Sequence, residues 1–218
     1  MSILVETFPS MGVGGQFHNA FIGRVAELDV TADRDIALAR LVTFHEQARH
    51  DLGFDGPLVT AEQVHGNGVA IVDATTRSPV AGVDALVTNR PGICLGIYVA
   101  DCCAVYAVDP ENACIGLAHS GRKGTELGVV PAMLRKMQSA YGTAPANVIV
   151  QLSPCIRPPL YEVDFAAEIV RQCREMGVGE VIDCGDCTGS HLDRYYSYRM
   201  EKGRTGRMLA LLAIASPM

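Results

Sequence analysis

The chain has no tryptophan among its 218 residues, and aromatic side chains make up only 6% of it. Charged residues are also scarce, at 19%, and the formal net charge is −6. That balance argues against general binding to nucleic acid or to an anionic membrane surface. No apolar run approaches the roughly 18 residues that a membrane-spanning helix needs. The N-terminus lacks the basic start and long apolar stretch of a signal peptide, so a cytoplasmic protein is expected. There is no Walker loop and no Gly-x-Ser-x-Gly elbow. The cluster Gly12-Val13-Gly14-Gly15 starts like a dinucleotide fingerprint, but the third glycine position is Phe17. It reads as a turn.

What the chain does have is apolar material, at 49%, and eight cysteines. The apolar fraction is enough for a sizeable core, and the length points to one domain, residues 1–218. The cysteines, at 94, 102, 103, 114, 155, 173, 184 and 187, lie mostly in apolar runs. They read as reduced thiols and small buried hydrophobes, not as a disulfide framework.

Helical spacing predicts helices over 34–52, 127–141 and 164–176. Short runs rich in Val, Ile, Leu and Cys predict strands over 3–7, 58–60, 68–72, 85–88, 94–100, 104–109, 114–118, 147–152, 181–184, 195–200 and 209–215, the last within an apolar run ending at Ser216. Segments 11–15 and 183–194 read as loops. Strands outnumber helices, and several neighbours are close enough for hairpins. The expected fold is α/β of the α+β type, with mixed sheets flanked by helices.

Three segments carry soft metal ligands beside small residues: Gln63-Val64-His65-Gly66, Asp101-Cys102-Cys103 and His119-Ser120-Gly121. Cysteine and histidine can bind zinc, or act together as nucleophile and base. Each segment falls at an expected strand end or turn. Spacing alone does not decide whether they meet. A rival metal motif is Cys184-Gly185-Asp186-Cys187 with His191, which lacks an evident fourth ligand. The helix start after His119, with Arg122 and Lys123, offers an anion site. Read from the residues alone, Arg199 and Arg207 are surface ion-pair formers.

The ordered series Gln63-Val-His-Gly, Asp84-Ala-Leu-Val-Thr-Asn-Arg-Pro-Gly, Val99-Ala-Asp-Cys-Cys, Ala118-His-Ser-Gly-Arg-Lys-Gly-Thr, Pro154-Cys-Ile, Tyr161-Glu-Val, Asp193-Arg-Tyr-Tyr-Ser-Tyr-Arg and Thr205-Gly-Arg-Met resembles the laccase-domain, YfiH-type family. The resemblance implies that His65, Cys102 and His119 form one metal site, usually zinc, with copper as the alternative. Cys102 holds the motif position, and Cys103 does not. The implied activity is phosphorolysis of adenosine, inosine and methylthioadenosine, with adenosine deamination. Polyphenol oxidation with copper, amide hydrolysis of cell-wall precursors and non-catalytic zinc binding are the alternatives. Phosphorolysis implies a purine nucleoside and phosphate as small-molecule substrates. In that context Lys123, Arg199, Arg207 and Arg122 become candidate phosphate or substrate binders. Asp101 and Glu162 are candidate acid–base groups. The chain departs from the family at Arg122-Lys123, Ala104 and Arg157. Arg122 and Arg157 suggest a more anionic substrate if they face the site.

Overall fold

The computed structural model describes residues 3–215. The ends of the chain, including Ser216 of the expected C-terminal run, lie outside the described residues. Among the described residues, eleven strands form two mixed sheets. The first sheet has the order β1 (Ile3–Glu6), β2 (Phe17–Val25), β11 (Met208–Ile214), β6 (Cys94–Val99), β3 (Leu58–Thr60). The second has the order β10 (Glu180–Asp183), β9 (Ile149–Leu152), β7 (Cys103–Asp109), β8 (Cys114–Ser120), β5 (Ala85–Thr88), β4 (Val69–Ile71).

Alternation along the strands builds the layers. In β8, Ile115 and Leu117 enter a core shared with Leu95, Ile97 and Leu212 of the first sheet. Cys114 and Ala118 point the other way, toward Met133, Leu134 and Met137. This is the period of two that a strand covered on both faces requires. The helices close the sandwich. Helix α1 (Arg34–Asp51) covers the outer face of the first sheet, where Ala48 packs with Ile22 and Leu209. Helices α3 (Val129–Tyr141) and α4 (Phe165–Glu175) cover the second sheet. Gly116 lets α3 lie close, because a Cβ there would fall 2.8 Å from Met133 Sδ. Asp164 caps α4 by accepting from the Ala167 N–H at 2.9 Å.

The sequence reading missed β2 and assigned a strand that is absent. Strand β2 carries His18, Asn19, Gly23 and Arg24, which obscure its pattern. Its apolar residues nonetheless alternate, Phe17, Phe21 and Val25 to one core and Ala20 and Ile22 to the other. Residues 195–197 are irregular and 198–200 form a turn. Tyr195 and Tyr196 are fully buried there, held by hydroxyl bonds and not by a ladder. The Tyr195 hydroxyl donates to Glu6, and the Tyr196 hydroxyl accepts from the Val25 N–H. The expected helix over 127–141 begins at Val129, after Gly128 in the left-handed region. A separate single turn, α2 (Arg122–Glu126), precedes it.

Neighbouring strands in the sequence do not always pair. Strands β7 and β8 form the expected hairpin, but β6 and β7 belong to different sheets. The chain crosses between the sheets at residues 100–102. It crosses again between β3 and β4, where His65 lies.

Candidate active site

Both crossings arrive at one end of the sandwich, and β8 ends beside them. Ala104 of β7 pairs with His119 of β8, so Cys102 just before β7 lies next to Gly121. The ligand atoms of His65, Cys102 and His119 all lie within 4.8 Å of one another. The two imidazole rings meet edge to face, with centroids 4.7 Å apart. A thiolate with two imidazoles is a donor set suited to zinc, and three protein ligands leave a position open. The trio can hold a metal ion. Gly121 makes room for it, because a Cβ there would fall 2.4 Å from Cys102 Sγ.

The residue that assembles this cluster is Asp84, which lies fully buried at the start of β5. Its Oδ1 accepts from the His65 N–H at 2.9 Å and bonds His119 Nδ1 at 2.8 Å. Its Oδ2 accepts from the Gly66 N–H at 2.7 Å. Its carbonyl accepts from the His119 N–H at 2.7 Å. A carboxylate on Nδ1 fixes the ring and leaves Nε2 for a metal. Burial opposes the Asp84 charge, but His119 and the Gly66 and His65 amides outweigh it and hold the carboxyl below its ordinary value.

The backbone at this end is constrained. Gln63, His65 and Asp101 all have positive φ, at 64°, 59° and 80°. Non-glycine residues hold such angles only where surrounding bonds enforce them. Asp84 enforces His65. The Gln63 side chain bonds both the N–H and the carbonyl of Tyr98, at 2.9 and 2.6 Å. Asp101 accepts from the Thr188 hydroxyl at 2.8 Å and the Arg199 N–H at 2.6 Å.

Charge follows from this packing. Burial works against a Cys102 thiolate, yet the His119 charge and bonds from His119 and His65 bring the thiol down to about 6. Burial also works against the His119 cation, but Cys102 and Asp84 raise it to about 9. Burial pushes the Cys94 and Cys173 thiols up to about 12 and Cys114 up to about 11. The metal-free cluster is therefore a thiolate–imidazolium pair near neutral pH.

The cluster opens into a cleft of about 650 Å³. Ile156, Tyr161 and Phe165 line one part of it, with Tyr98 and Tyr198 elsewhere. Arg122, Arg199 and Arg207 line it too. Lys123 does not. It is exposed on α2, whose inward positions are Gly124 and Thr125. Arg157 also lies outside the lining, because Asp183 holds its guanidinium and its Nε donates to the Asp186 carbonyl. Asp101 faces the cleft with both carboxylate oxygens engaged, and Glu162 is paired with Arg199. Cys184, Cys187 and His191 form no second metal-ligand cluster among the described residues.

Asp84, Gly121 and Arg34, which also lines the cleft, had no role in the sequence reading. The start of the Asp84 motif was the signal for the first. Gly121 stands within the His119-Ser120-Gly121 segment, and nothing local marks Arg34.

The family described as multi-copper polyphenol oxidoreductase laccase matches residues 27–170 and 163–215. The chain belongs to this family. A purine nucleoside phosphorylase of Streptomyces coelicolor is 33% identical over 75% of this chain and 78% of its own length. Purine nucleoside phosphorylase YlmD of Geobacillus stearothermophilus is 29% identical over 71% of each chain. The crystal structure of YlmD from Geobacillus stearothermophilus superposes with a TM-score of 0.83 at 24% identity, over 96% of this chain and 94% of that one. The YfiH protein of Bacillus licheniformis gives a TM-score of 0.79 at 21% identity, over 93% and 94%. These likenesses establish the fold.

Proposed function

We propose that the protein is a zinc-dependent purine nucleoside phosphorylase, acting on adenosine, inosine and methylthioadenosine, and that it also deaminates adenosine. The observation that carries this reading is the His65–Cys102–His119 cluster at the floor of a cleft, in a chain whose relatives are named for that activity. A bound zinc ion supplies Lewis acidity at the reacting centre. His65, Cys102 and His119 would hold it, with Asp84 orienting His119 through Nδ1. Ile156, Tyr161 and Phe165 offer an apolar wall against which a purine can pack. Phosphorolysis breaks the bond between the base nitrogen and C1′ of the ribose and forms a bond from C1′ to a phosphate oxygen. The departing base takes up a proton. Asp101 is poorly placed to give it, since its carboxylate is tied to Thr188 and the Arg199 amide. No helix among the described residues is long and apolar enough to cross a membrane.

The test is to incubate zinc-loaded protein with each nucleoside, with and without phosphate. The expected result is release of free base that depends on phosphate, and inosine from adenosine. Release of base without phosphate, or none at all, contradicts the reading.

A second reading rests on the low Cys102 thiol beside the His119 cation. This pair also suits a cysteine hydrolase acting on an amide. Amide hydrolysis that survives complete removal of metal would favour it.

A further inference from the structure

Two cysteines that the zinc trio does not use, Cys155 and Cys187, are brought together directly behind the cleft. They are partners in an isolated parallel bridge. The Cys155 N–H donates to the Asp186 carbonyl at 3.2 Å, and the Thr188 N–H donates to the Cys155 carbonyl at 3.1 Å. Residues paired in this way send their side chains to the same side. The packing agrees, because both side chains join the apolar cluster beneath α3 and α4. Paired backbones run about 4.8 Å apart. That falls inside the roughly 4.4–6.8 Å between Cα atoms that a disulfide spans.

The two thiols differ in access. Cys155 is fully buried, whereas Cys187 is half-buried. Cys187 Sγ makes only a long contact of 4.0 Å to the Arg157 carbonyl. A small oxidant from solvent therefore meets Cys187 first. Two other thiols compete for the pairing. Cys184 lies three residues before Cys187, but the chain turns between them at Gly185, with a φ of 78°. The Gly185 N–H is fixed there by the Asp183 carboxylate at 3.0 Å. Cys103 is a buried neighbour of Cys155 in the cluster, and its Sγ is turned to the carbonyls of Ala104 and Ser153, at 3.4 and 3.6 Å. Burial and the Cys155 thiol push Cys103 well above its ordinary value, and a protonated thiol is a poor nucleophile.

The bridge is tied to the zinc trio through Asp101, which directly precedes Cys102. The Ile156 N–H donates to the Asp101 carbonyl at 2.9 Å. The Thr188 hydroxyl donates to the Asp101 carboxylate at 2.8 Å. Ile156 also lines the cleft. The residue after each cysteine thus holds Asp101.

We propose that Cys155 and Cys187 are a redox pair, which hydrogen peroxide converts into a disulfide that clips together the two segments anchoring Asp101. Peroxide oxidises the Cys187 thiol to a sulfenic acid and is itself reduced to water. The Cys155 sulfur then attacks the Cys187 sulfur, and the S–O bond breaks. The hydroxyl leaves with the Cys155 proton as a second water. A dithiol reductant reverses the change, its own thiols becoming a disulfide as the protein's two are restored. The pair stands independently of the phosphorolysis reading.

The experiment is to treat zinc-loaded protein with hydrogen peroxide, alkylate the remaining thiols, and map linked peptides by mass spectrometry. Bound zinc shields Cys102. The expected result is a single linkage, Cys155 to Cys187, that dithiothreitol reverses. The linked form should melt roughly 5–10 °C higher than the reduced form. Cys187→Ser should abolish both the link and the rise, and Cys184→Ser should keep both. Cys187 is half-buried, so Cys187→Ser carries the test if Cys155→Ala does not fold. A linkage of Cys187 to Cys184, or of Cys155 to Cys103, overturns the pair. So does a Cys187 that stays a free thiol or passes to the sulfinic acid unlinked, or a link that lowers the melting temperature.

Discussion

Two regions of the molecule carry cysteine and histidine in patterns that suggest a metal, and they differ in how the fold treats them. Cys184, Cys187 and His191 are close in sequence and have zinc-like spacing. The fold leaves Cys184 exposed, and the three do not converge. His65, Cys102 and His119 are spread over more than fifty residues, and their ligand atoms come within 4.8 Å. The difference lies in the backbone that holds them. The scattered trio sits where the chain crosses between two rigid sheets, with Asp84 bonded to two of its members. A site on the ends of strands is fixed by hydrogen-bond ladders on either side. In the local motif Cys184 follows edge strand β10, and Cys187 is held by a single bridge to Cys155.

The largest expected effect breaks the comparison directly. Cys102→Ala should reduce bound zinc from about one per chain to near none and abolish phosphorolysis, because two imidazoles alone hold zinc weakly. Cys184→Ser and Cys187→Ser should leave the zinc content unchanged. Elemental analysis of the purified proteins decides, and zinc lost from a Cys187 variant would reverse the assignment.

Asp84→Asn should weaken zinc binding by roughly 10- to 100-fold, the usual result of removing a carboxylate behind a ligating histidine. Competition with a chromophoric chelator measures it. Unchanged affinity would mean that Asp84 is only a structural strut.

Gly121→Ala should lower stability by about 1–3 kcal/mol through overpacking against Cys102. Thermal melting of metal-free protein measures the loss, and zinc titration shows whether the displaced thiol still binds. An unaltered melt would mean that the cluster relaxes without penalty.

The smallest effect is in titration. In metal-free protein the Cys102 thiolate should appear in the ultraviolet with a midpoint of about 6, read as the difference from Cys102→Ser. The depressed thiol contributes stability that is lost as pH falls through about 6. The raised His119 contributes stability that is lost as pH rises through about 9. The stabilising window is therefore between those values. A midpoint near the ordinary cysteine value would dissolve the ion pair.

Much of this was legible in the sequence. Apolar runs marked most strands, because a strand buried on both faces leaves a continuous hydrophobic trace. Gly177, with its positive φ of 76°, stops the helix that the apolar spacing of Ile169 and Cys173 marks. What was hidden depends on distant partners. Strand β2 reads as polar until its alternation is matched to two different cores. The tyrosines at 195 and 196 read as a strand because buried aromatics favour sheets, while here their hydroxyls bond Glu6 and Val25 instead. The family motif named the trio, but nothing local distinguishes an arginine with a partner from one without. Arg157 and Lys123 looked equivalent to Arg207 until Asp183 and the outer face of α2 claimed them. Arg34 was invisible as a cleft residue because its place depends on how α1 packs.

The most direct test of the central claim is X-ray absorption at the zinc edge of the loaded protein. The account predicts one sulfur at about 2.3 Å and two nitrogens at about 2.0–2.1 Å, with the sulfur lost in Cys102→Ser. Two sulfur ligands that persist in that variant would place the metal at Cys184 and Cys187 and contradict it.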